Sequence, residues 1–220
     1  MKNNNIITVD GPSASGKGSL AKALAKELNF MLLDSGLLYR AYSYCFDQVQ
    51  NHSTAKGLFS NLRIDSIDHE MHVYEDNKDI TSILRHENIA KTASKLSSLK
   101  ETRDNLISFQ RVLASDNGLV ADGRDMGTVV FPDAGTKIFL VADAEVRAKR
   151  RFLELQNGGQ DVNMRDLIDD IRLRDEADKA REISPLMPAN DSIEVNSSNL
   201  TPQEVKEIVL KIYKENTKED

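Results

Sequence analysis

The sequence is short of cysteine, glycine, proline and aromatic residues, and these shortages exclude several classes of protein. Its single cysteine, Cys45, can form neither an internal disulfide nor a multi-cysteine metal site. Only 11 of the 220 residues are glycine and five are proline, too few for a low-complexity or collagen-like chain. Hydrophobic residues make up 40% and charged residues 29% of the chain, as in globular proteins. We therefore expect a single globule with appendages, in which Cys45 is a small buried residue.

Long apolar runs and an excess of positive charge are also missing. No segment approaches the ~18 consecutive apolar residues that a membrane span needs, and residues 1–5 lead into a strand-like segment without the apolar region of a signal peptide. We therefore expect a cytoplasmic protein with no membrane partner. Carboxylates outnumber lysine and arginine by 35 to 29. This argues against a nucleic-acid partner, because neutralising a phosphate backbone requires a basic face, but it leaves a small phosphorylated ligand open.

Short apolar runs alternate with helical patterns along the chain. Their residues suit buried parallel strands, and the runs span residues 6–9, 30–33, 119–121, 137–142 and 193–195. Leucines at spacing four follow the first run, and the last helix begins with a capping box, in which Thr201 caps and Glu204 closes the box. The alternation of strand and helix predicts an α/β fold.

Two segments interrupt this alternation. Residues 58–84 alternate with a period of two, which predicts a small antiparallel meander. The segment Asn157-Gly158-Gly159-Gln160 reads as a polar hinge between two charged helices. The first helix has four basic residues within 147–151, and the second carries Arg172, Arg174 and Arg181. We interpret the pair as a lid that folds arginines over a triphosphate and excludes water, although a solvated face would also explain either helix by itself.

A glycine loop follows the first strand and opens onto a helix, as a phosphate-binding loop does. It fits the pattern G-x-x-x-x-G-K, whose backbone N–H groups cradle phosphates, and Lys17 can reach the outer phosphates. Gly18 stands where the general pattern has serine or threonine, which is typical of nucleoside monophosphate kinases rather than switch GTPases. We assign ATP binding to Gly11, Pro12, Ser13, Ala14, Ser15, Gly16, Lys17, Gly18 and Ser19.

Charged residues follow the next two predicted strands, where an acceptor phosphate could bind. Ser35 is expected to cap the second helix, which carries Arg40, and the third strand ends at Asp122 and Arg124. Ligands of open α/β sheets bind at the carboxyl ends of the strands, so these side chains should face Lys17. We expect Asp122 to hold Mg²⁺, directly or through water, with Ser19 on the other side of the metal. Turns with solvated charges are the alternative.

Together these motifs resemble the bacterial cytidylate (CMP) kinases. The resemblance runs from about residue 6 to the final helix, and its most specific parts are D-G-R-D-M-G-T-V-V-F-P at 122–132 and R-D-x-x-D-x-x-R at 174–181. It implies a P-loop NTPase-type fold with a five-stranded parallel sheet flanked by helices. The implied domains are a core at 1–57 and 96–220, with a helical lid at about 150–181, and a CMP-binding insert at 58–95 with a small antiparallel sheet.

The resemblance also implies an activity and the residues that carry it. The activity is transfer of the γ-phosphoryl group of ATP to CMP or dCMP with Mg²⁺, in pyrimidine nucleotide metabolism. Lys17, Arg124 and Arg174 would be catalytic. Around the acceptor phosphate it places Ser35, Tyr39, Arg40 and Arg124; at the ribose, Arg174 and Asp178; and around the base, Ser94, Arg103, Asp125 and Arg181. A carboxylate such as Asp125 suits the exocyclic amine of cytosine, and arginines suit its ring acceptors.

Other functions remain open at this stage. Another small-acceptor kinase, such as a UMP/CMP, adenylate or shikimate kinase, would share the phosphate loop. A P-loop binding module with slow hydrolysis would share it too, but would not need the basic helices of the predicted lid. A purely structural protein would leave the convergence of Lys17 with the arginines unexplained. We expect a monomer with nucleotides as its only partners.

Overall fold

The computed structural model describes residues 3–114, 117–157, 159 and 162–218. Its first half contains β1 (Asn3–Asp10), α1 (Lys17–Leu28), β2 (Met31–Asp34), α2 (Ser35–Val49), α3 (His52–Asn61), β3 (Arg63–Ile67), β4 (Glu70–Glu75), β5 (Lys78–Asp79), α4 (Thr81–Leu84), α5 (Glu87–Leu96) and α6 (Lys100–Val112). Its second half contains β6 (Leu119–Gly123), a π-helical turn (Met126–Val130), β7 (Ala134–Val141), α7 (Ala144–Asn157), α8 (Met164–Lys179), β8 (Ile193–Asn196) and α9 (Pro202–Asn216).

Five of the strands form one parallel sheet, in the order β2-β6-β1-β7-β8. The predicted α/β fold with five parallel strands is therefore confirmed. In the register of the sheet, Asp34 pairs with Asp122 and Asp10 pairs with Gly123. The carboxyl ends of β2, β6 and β1 thus lie level with one another, and polar groups at these ends share one edge of the sheet.

Helices cover both faces of the sheet because β1 is apolar on both sides. Ile7 and Val9 pack into a core with α1 and α9, whereas Ile6 packs into a second core with α2, α5 and α6. Cys45 belongs to the second core and is 1% exposed, so its predicted burial is confirmed. Complete burial of both faces is what a parallel strand requires.

A second, three-stranded antiparallel sheet has the order β3-β4-β5, and it is the predicted meander. Its two turns, at Asp68-His69 and Asp76-Asn77, have positive φ at both residues, as tight hairpins favour. The sheet packs on the core at β2, where the Met71 sulfur accepts the N–H of Asp34 at 2.9 Å. The predicted domain boundary at 58–95 remains a prediction, and residues 58–61 belong to α3.

The helix starts show one correct and one wrong prediction from the sequence. The capping box of Thr201 and Glu204 at α9 is confirmed. The cap of α2 is Asp34 rather than Ser35, because the Asp34 carboxylate accepts the N–H of Leu37 at 2.9 Å while Ser35 is already helical. An aspartate at the extended residue before the helix reaches this N–H directly.

The two helices of the predicted lid are α7 and α8. Of the predicted hinge between them, Gly158 and Gln160 lie outside the described residues. Among the helices that the structure describes, we find none that is both long and apolar enough to span a membrane.

Candidate active site

A cleft of about 640 Å³ lies at the carboxyl ends of β2 and β6, between the phosphate loop, α2, α5 and α8. Lys17 and Asp122 both line it. All ten predicted substrate residues line it too, namely Ser35, Tyr39, Arg40, Ser94, Arg103, Arg124, Asp125, Arg174, Asp178 and Arg181. Among the described residues that line the cleft, none belongs to β3, β4 or β5. The contribution of the 58–95 segment to the cleft comes from Arg85 and α5.

The phosphate loop can take its shape only with glycine at two positions. Gly16 adopts φ 95° at the start of α1, which is a left-handed conformation. A Cβ on Gly11 would lie 2.2 Å from the carbonyl oxygen of Leu140, which is a clash with backbone. Ser13, Ala14 and Lys17 are the residues of the 11–19 loop that line the cleft. The loop therefore presents its backbone and one lysine to a ligand.

Lys17 is the first residue of α1 and is 8% exposed. Its Nζ donates to the carbonyl oxygen of Pro12 at 3.2 Å, so the side chain lies across the loop. Burial, followed by the positive charge of Arg124, lowers the pKa of Lys17 to about 8. A bound polyphosphate would oppose both effects and hold the ammonium group protonated.

Two arginines of α7 donate hydrogen bonds to backbone carbonyls of the phosphate loop. Arg147 donates to the carbonyl oxygen of Ser13 at 3.1 Å, and Arg150 donates to that of Ser15 at 2.8 Å. Of the five residues 147–151, all of which the structure describes, Arg151 alone lines the cleft. Arg147 and Arg150 therefore bond to the loop rather than face the cleft, and the closure of this lid over a triphosphate stays a prediction.

The guanidinium groups of Arg174 and Arg124 lie on the acceptor side of the cleft. The Nε of Arg174 is buried and has no hydrogen-bond partner among the described residues. Burial, followed by the charge of Arg124, lowers the pKa of Arg174 to about 10. Arg124 donates its Nε to Asp178 at 3.0 Å. The positive charges of Arg124 and Arg174 repel each other, and the buried Nε of Arg174 lacks an acceptor. A bound anion would relieve both penalties, so this part of the cleft favours an anion.

Arg40 is also held at the acceptor side, by the last residue of α4 and the segment that follows it. It donates to the carbonyl oxygens of Leu84 at 3.1 Å and His86 at 3.5 Å. Burial lowers the pKa of Arg40 from its ordinary value. The carbonyl bonds fix the direction of the side chain without neutralising its charge, so the charge remains available to a ligand.

The part of the cleft near α6 and the C-terminal end of α8 contains two buried ion pairs. Arg103 donates to Asp125 at 2.6 Å, and the two side chains are 9% and 4% exposed. Arg181 donates to Asp178, whose side chain is 2% exposed. Burial opposes the charge of Asp178, but Arg124 and Arg181 outweigh it, so the pKa of Asp178 lies below its ordinary value. Fixed donors and acceptors of this kind suit a polar ring better than an apolar ligand.

Asp122 is the residue that best fits a magnesium ion. Its Oδ1 is buried without a hydrogen-bond partner among the described residues. Burial, opposed by Lys17, raises the pKa of Asp122 to about 6. The described residues contain no group of three or more His, Cys, Asp or Glu side chains that could hold a metal. Mg²⁺ needs no such cage, because it keeps several waters and takes one or two carboxylates plus substrate phosphates.

The glycine at position 18 keeps space beside this carboxylate. A Cβ built on Gly18 would lie 3.2 Å from Oδ2 of Asp122, which is a tight contact. Ser19, the second predicted metal ligand, is exposed in the first turn of α1 and is not among the residues that line the cleft. The fit to Mg²⁺ therefore rests on Asp122.

Sequence reasoning missed two residues that organise the site. Asp10, at the end of β1, accepts the N–H groups of Met126 at 2.8 Å and Gly127 at 2.7 Å, directly after Asp125. A carboxylate between an apolar strand and the glycine loop is a local pattern that could have identified Asp10 as a site residue. Ser97, after α5, contacts Arg103 and Arg181. It lies outside every motif, so only the fold could show its role.

Comparison with known proteins agrees with this geometry. The model of the cytidylate kinase family matches residues 7–215. Cytidylate kinases from Pseudomonas syringae pv. tomato and Pseudomonas entomophila are each 43% identical to this chain, over 213 and 208 residues, which cover 93% and 91% of both chains. The crystal structure of an uncharacterized protein from Eubacterium ventriosum covers 97% of this chain and 99% of that one, with a TM-score of 0.52 and 14% sequence identity. This last likeness concerns the fold alone.

Proposed function

The chain belongs to the cytidylate kinase family and is a nucleoside monophosphate kinase, and we propose that it transfers the γ-phosphoryl group of ATP to CMP or dCMP with Mg²⁺ bound. The observation that carries the proposal is that Lys17, Arg40, Arg124 and Arg174 line one cleft of about 640 Å³. A phosphate loop and an arginine-rich pocket in a single cleft allow two nucleotides to meet directly. We also propose that the protein acts in pyrimidine nucleotide metabolism, in the cytoplasm and as a monomer.

The donor side binds ATP through the 11–19 loop. Backbone N–H groups of the loop would hold the β- and γ-phosphates, and Lys17 would neutralise their charge. Asp122 would hold Mg²⁺, which when bound supplies positive charge to the transferring phosphoryl group, whereas a contact of Ser19 with the metal stays a prediction because Ser19 does not line the cleft. The contacts of Arg147 and Arg150 with the carbonyl groups of the loop keep this cradle in shape before the nucleotide arrives.

The acceptor side binds the phosphate of CMP. Ser35, Tyr39, Arg40 and Arg124 would surround that phosphate, and Arg174 and Asp178 would face the ribose. Burial raises the pKa of Tyr39 to about 12, so its hydroxyl remains a donor at physiological pH. The acceptor oxygen of CMP is already ionised, so no general base is required. Catalysis is then positioning of the two nucleotides and stabilisation of the charge that develops between them.

The base end of the cleft selects cytosine. Asp125 would accept the exocyclic amine, while Arg103 and Arg181, with Ser94, would face the ring acceptors. Uracil reverses the hydrogen-bonding pattern at N3 and C4. Its N3–H would meet arginine donors, and its O4 would meet the carboxylate. Buried polar groups left unpaired are costly, so the site should reject UMP.

Acceptor-dependent ADP release tests the proposal. In a coupled assay with Mg²⁺ and ATP, we expect rapid ADP release with CMP and dCMP, and little with UMP, AMP or GMP. Chelation of Mg²⁺ should abolish the release. Preference for another acceptor would identify a different small-acceptor kinase, and turnover without an acceptor would identify a hydrolytic switch.

A pair of lysine variants on the same helix separates phosphoryl transfer from folding. Lys17→Met should lose CMP-dependent turnover by about 100-fold or more, because it removes a charge that acts on the transferring group. Lys22→Met is the matched control, since Lys22 is half-exposed and pairs with Glu70 away from the cleft. Equal turnover by the two variants would contradict the proposed donor site.

A further inference from the structure

Ser97 connects the two arginines at the base end of the cleft. It lies directly after α5, lines the cleft and is 8% exposed. Its carbonyl oxygen accepts Nε of Arg103 at 2.7 Å, and its Oγ accepts a guanidinium N–H of Arg181 at 3.0 Å. The same hydroxyl donates to the carbonyl oxygen of Ser94 at 2.9 Å. The hydroxyl therefore acts as a donor to Ser94 and as an acceptor from Arg181 at the same time.

These bonds join ion pairs that come from distant parts of the chain. Arg103 of α6 is paired with Asp125, which follows β6. Arg181, after α8, is paired with Asp178, which also binds Arg124. Ser97 lies between the two groups and contacts both. The end of the predicted lid is thus connected to the α5–α6 junction through a neutral residue.

Ser97 joins two guanidinium groups that cannot bond to each other. Arg103 is among the charges that lower the pKa of Arg181, after burial as the main cause. Neither arginine can satisfy the other, since guanidinium groups have donors only. Ser97 supplies one acceptor to each of them. It therefore links the two arginines, each of which also pairs with a carboxylate, in a nearly buried place.

We propose that Ser97 is a positioning residue that sets the preference of this enzyme for cytosine over uracil. The inference rests on the proposed function, in which Arg103 and Arg181 face the base. Cytosine presents O2 and N3 as neighbouring acceptors, and two arginines at a fixed separation match that pair. Uracil replaces the N3 acceptor with a donor, so the same fixed pair rejects it. Without the Ser97 hydroxyl, Arg181 keeps its ion pair with Asp178 but loses its second anchor, so it can shift away from the uracil N3–H, which weakens this rejection.

The neighbouring serine provides a matched control. Ser98 also donates its hydroxyl to a carbonyl three residues earlier, that of Lys95, at 2.7 Å. Ser98 is exposed and is not among the residues that line the cleft. Ser97→Ala and Ser98→Ala therefore remove the same group with the same local bond. They differ in the contact with Arg181.

Steady-state kinetics with CMP and UMP, on the full chain, test the proposal. For Ser97→Ala we expect the ratio of kcat/KM values, CMP over UMP, to fall by about three- to tenfold. The kcat/KM for UMP should rise because uracil is rejected less strongly, and the KM for CMP should rise because Arg181 is held less firmly. The KM for ATP should stay unchanged, and Ser98→Ala should keep the ratio of the unchanged enzyme.

The contrary outcomes are distinct. If Ser97→Ala keeps the CMP to UMP ratio, with or without a lower melting temperature, then Ser97 is only structural and the proposal is overturned while the kinase activity stands. If Ser98→Ala lowers the ratio equally, the contact with Arg181 is not the cause, and the proposal is again overturned. If the unchanged enzyme shows no turnover with CMP, the proposed function fails and the inference fails with it.

Discussion

Arg147 of α7 and Asp175 of α8 form a two-point ion pair. One N–H of the guanidinium donates to Oδ1 of Asp175 at 3.0 Å, and a second donates to Oδ2. The arginine also donates to the carbonyl oxygen of Ser13 in the phosphate loop. The two side chains are 5% and 15% exposed, so this pair is nearly dry. A single guanidinium therefore ties both helices of the predicted lid to the loop that would hold ATP.

Removing that guanidinium should destabilise the protein strongly. Arg147→Met leaves Asp175 without its partner in a nearly buried place, so we expect a loss of about 3–5 kcal/mol in the free energy of unfolding. Urea denaturation measures it. The matched control is Arg172→Met, because Arg172 pairs with Glu145 at 2.7 Å but both side chains are more than half-exposed. That variant should change the free energy by about 0–1 kcal/mol.

A double variant separates the ion pair from general packing. Arg147→Met with Asp175→Leu removes both charges, so it should be less destabilised than the sum of the single variants. Strict additivity in this double-mutant cycle would contradict a direct pair.

Arg174 should be expendable for folding but required for activity. Its Nε is buried and unpaired, and burial and Arg124 disfavour its charge. Arg174→Met should therefore keep or raise the melting temperature while lowering kcat/KM for CMP by about 100-fold or more. Arg172→Met, two residues away and exposed, should retain the activity. A large drop in the melting temperature of Arg174→Met would mean that the arginine stabilises the ligand-free protein.

Asp125 should determine base preference, and the structure indicates which variant to use. Asp125→Ala would leave Arg103 buried and unpaired, which mixes a folding defect with the binding effect. Asp125→Asn keeps the volume, but its amide can donate to O4 of uracil. We expect the CMP to UMP ratio of kcat/KM values to fall by about tenfold or more, with the KM for ATP unchanged. A ratio equal to that of the exposed control Asp104→Asn would contradict the assignment.

Asp10 should make stability depend on pH. Burial raises its pKa from 3.8 to about 7, against two backbone hydrogen bonds that lower it. At pH values between 3.8 and about 7, Asp10 is protonated in the folded state and ionised in the unfolded state. The folded protein therefore loses stability as the pH rises from about 4 to 7. Asp10→Asn removes this titration. Its stability relative to the unchanged protein should therefore increase across that window, by at most about 1.4 kcal/mol per pH unit.

Urea denaturation at several values between pH 4.5 and 7 measures the difference. Asp122, whose pKa is also raised, titrates in both proteins, so it contributes to both stability curves. Parallel stability curves for the two proteins would show that Asp10 does not titrate in this range.

The fold was predictable where its causes are local or periodic. The buried strand segments are apolar runs, and the capping box of Thr201 and Glu204 lies within four residues. The cap of α2 was harder, because Asp34 and Ser35 both suit that role and only the backbone geometry decides between them. The π-helical turn at Met126–Val130 was not predicted, since it depends on Asp10, which is more than a hundred residues earlier in the chain.

The site was predictable at the ends of strands and less so elsewhere. Lys17 and Arg124 follow two strands that end at one edge of the sheet, so their convergence follows from the fold. The roles of Arg147 and Arg150 could not be read from composition, because a basic cluster does not reveal that two of its arginines bond to carbonyl groups of the phosphate loop. The hydroxyl of Ser97 bonds to Arg181, which is 84 residues later in the chain, and no local pattern marks this contact.

The strand order has a consequence for synthesis of the chain. β1 lies between β6 and β7, and Ile6 pairs with Leu119. On the ribosome, the first strand emerges more than a hundred residues before either neighbour exists. Its apolar segment lacks both neighbouring strands while β2, the small sheet and six helices, α1 to α6, are translated. Nascent chains of this protein should therefore depend on chaperones early, and mature enzyme can form only after the second half of the polypeptide has left the exit tunnel.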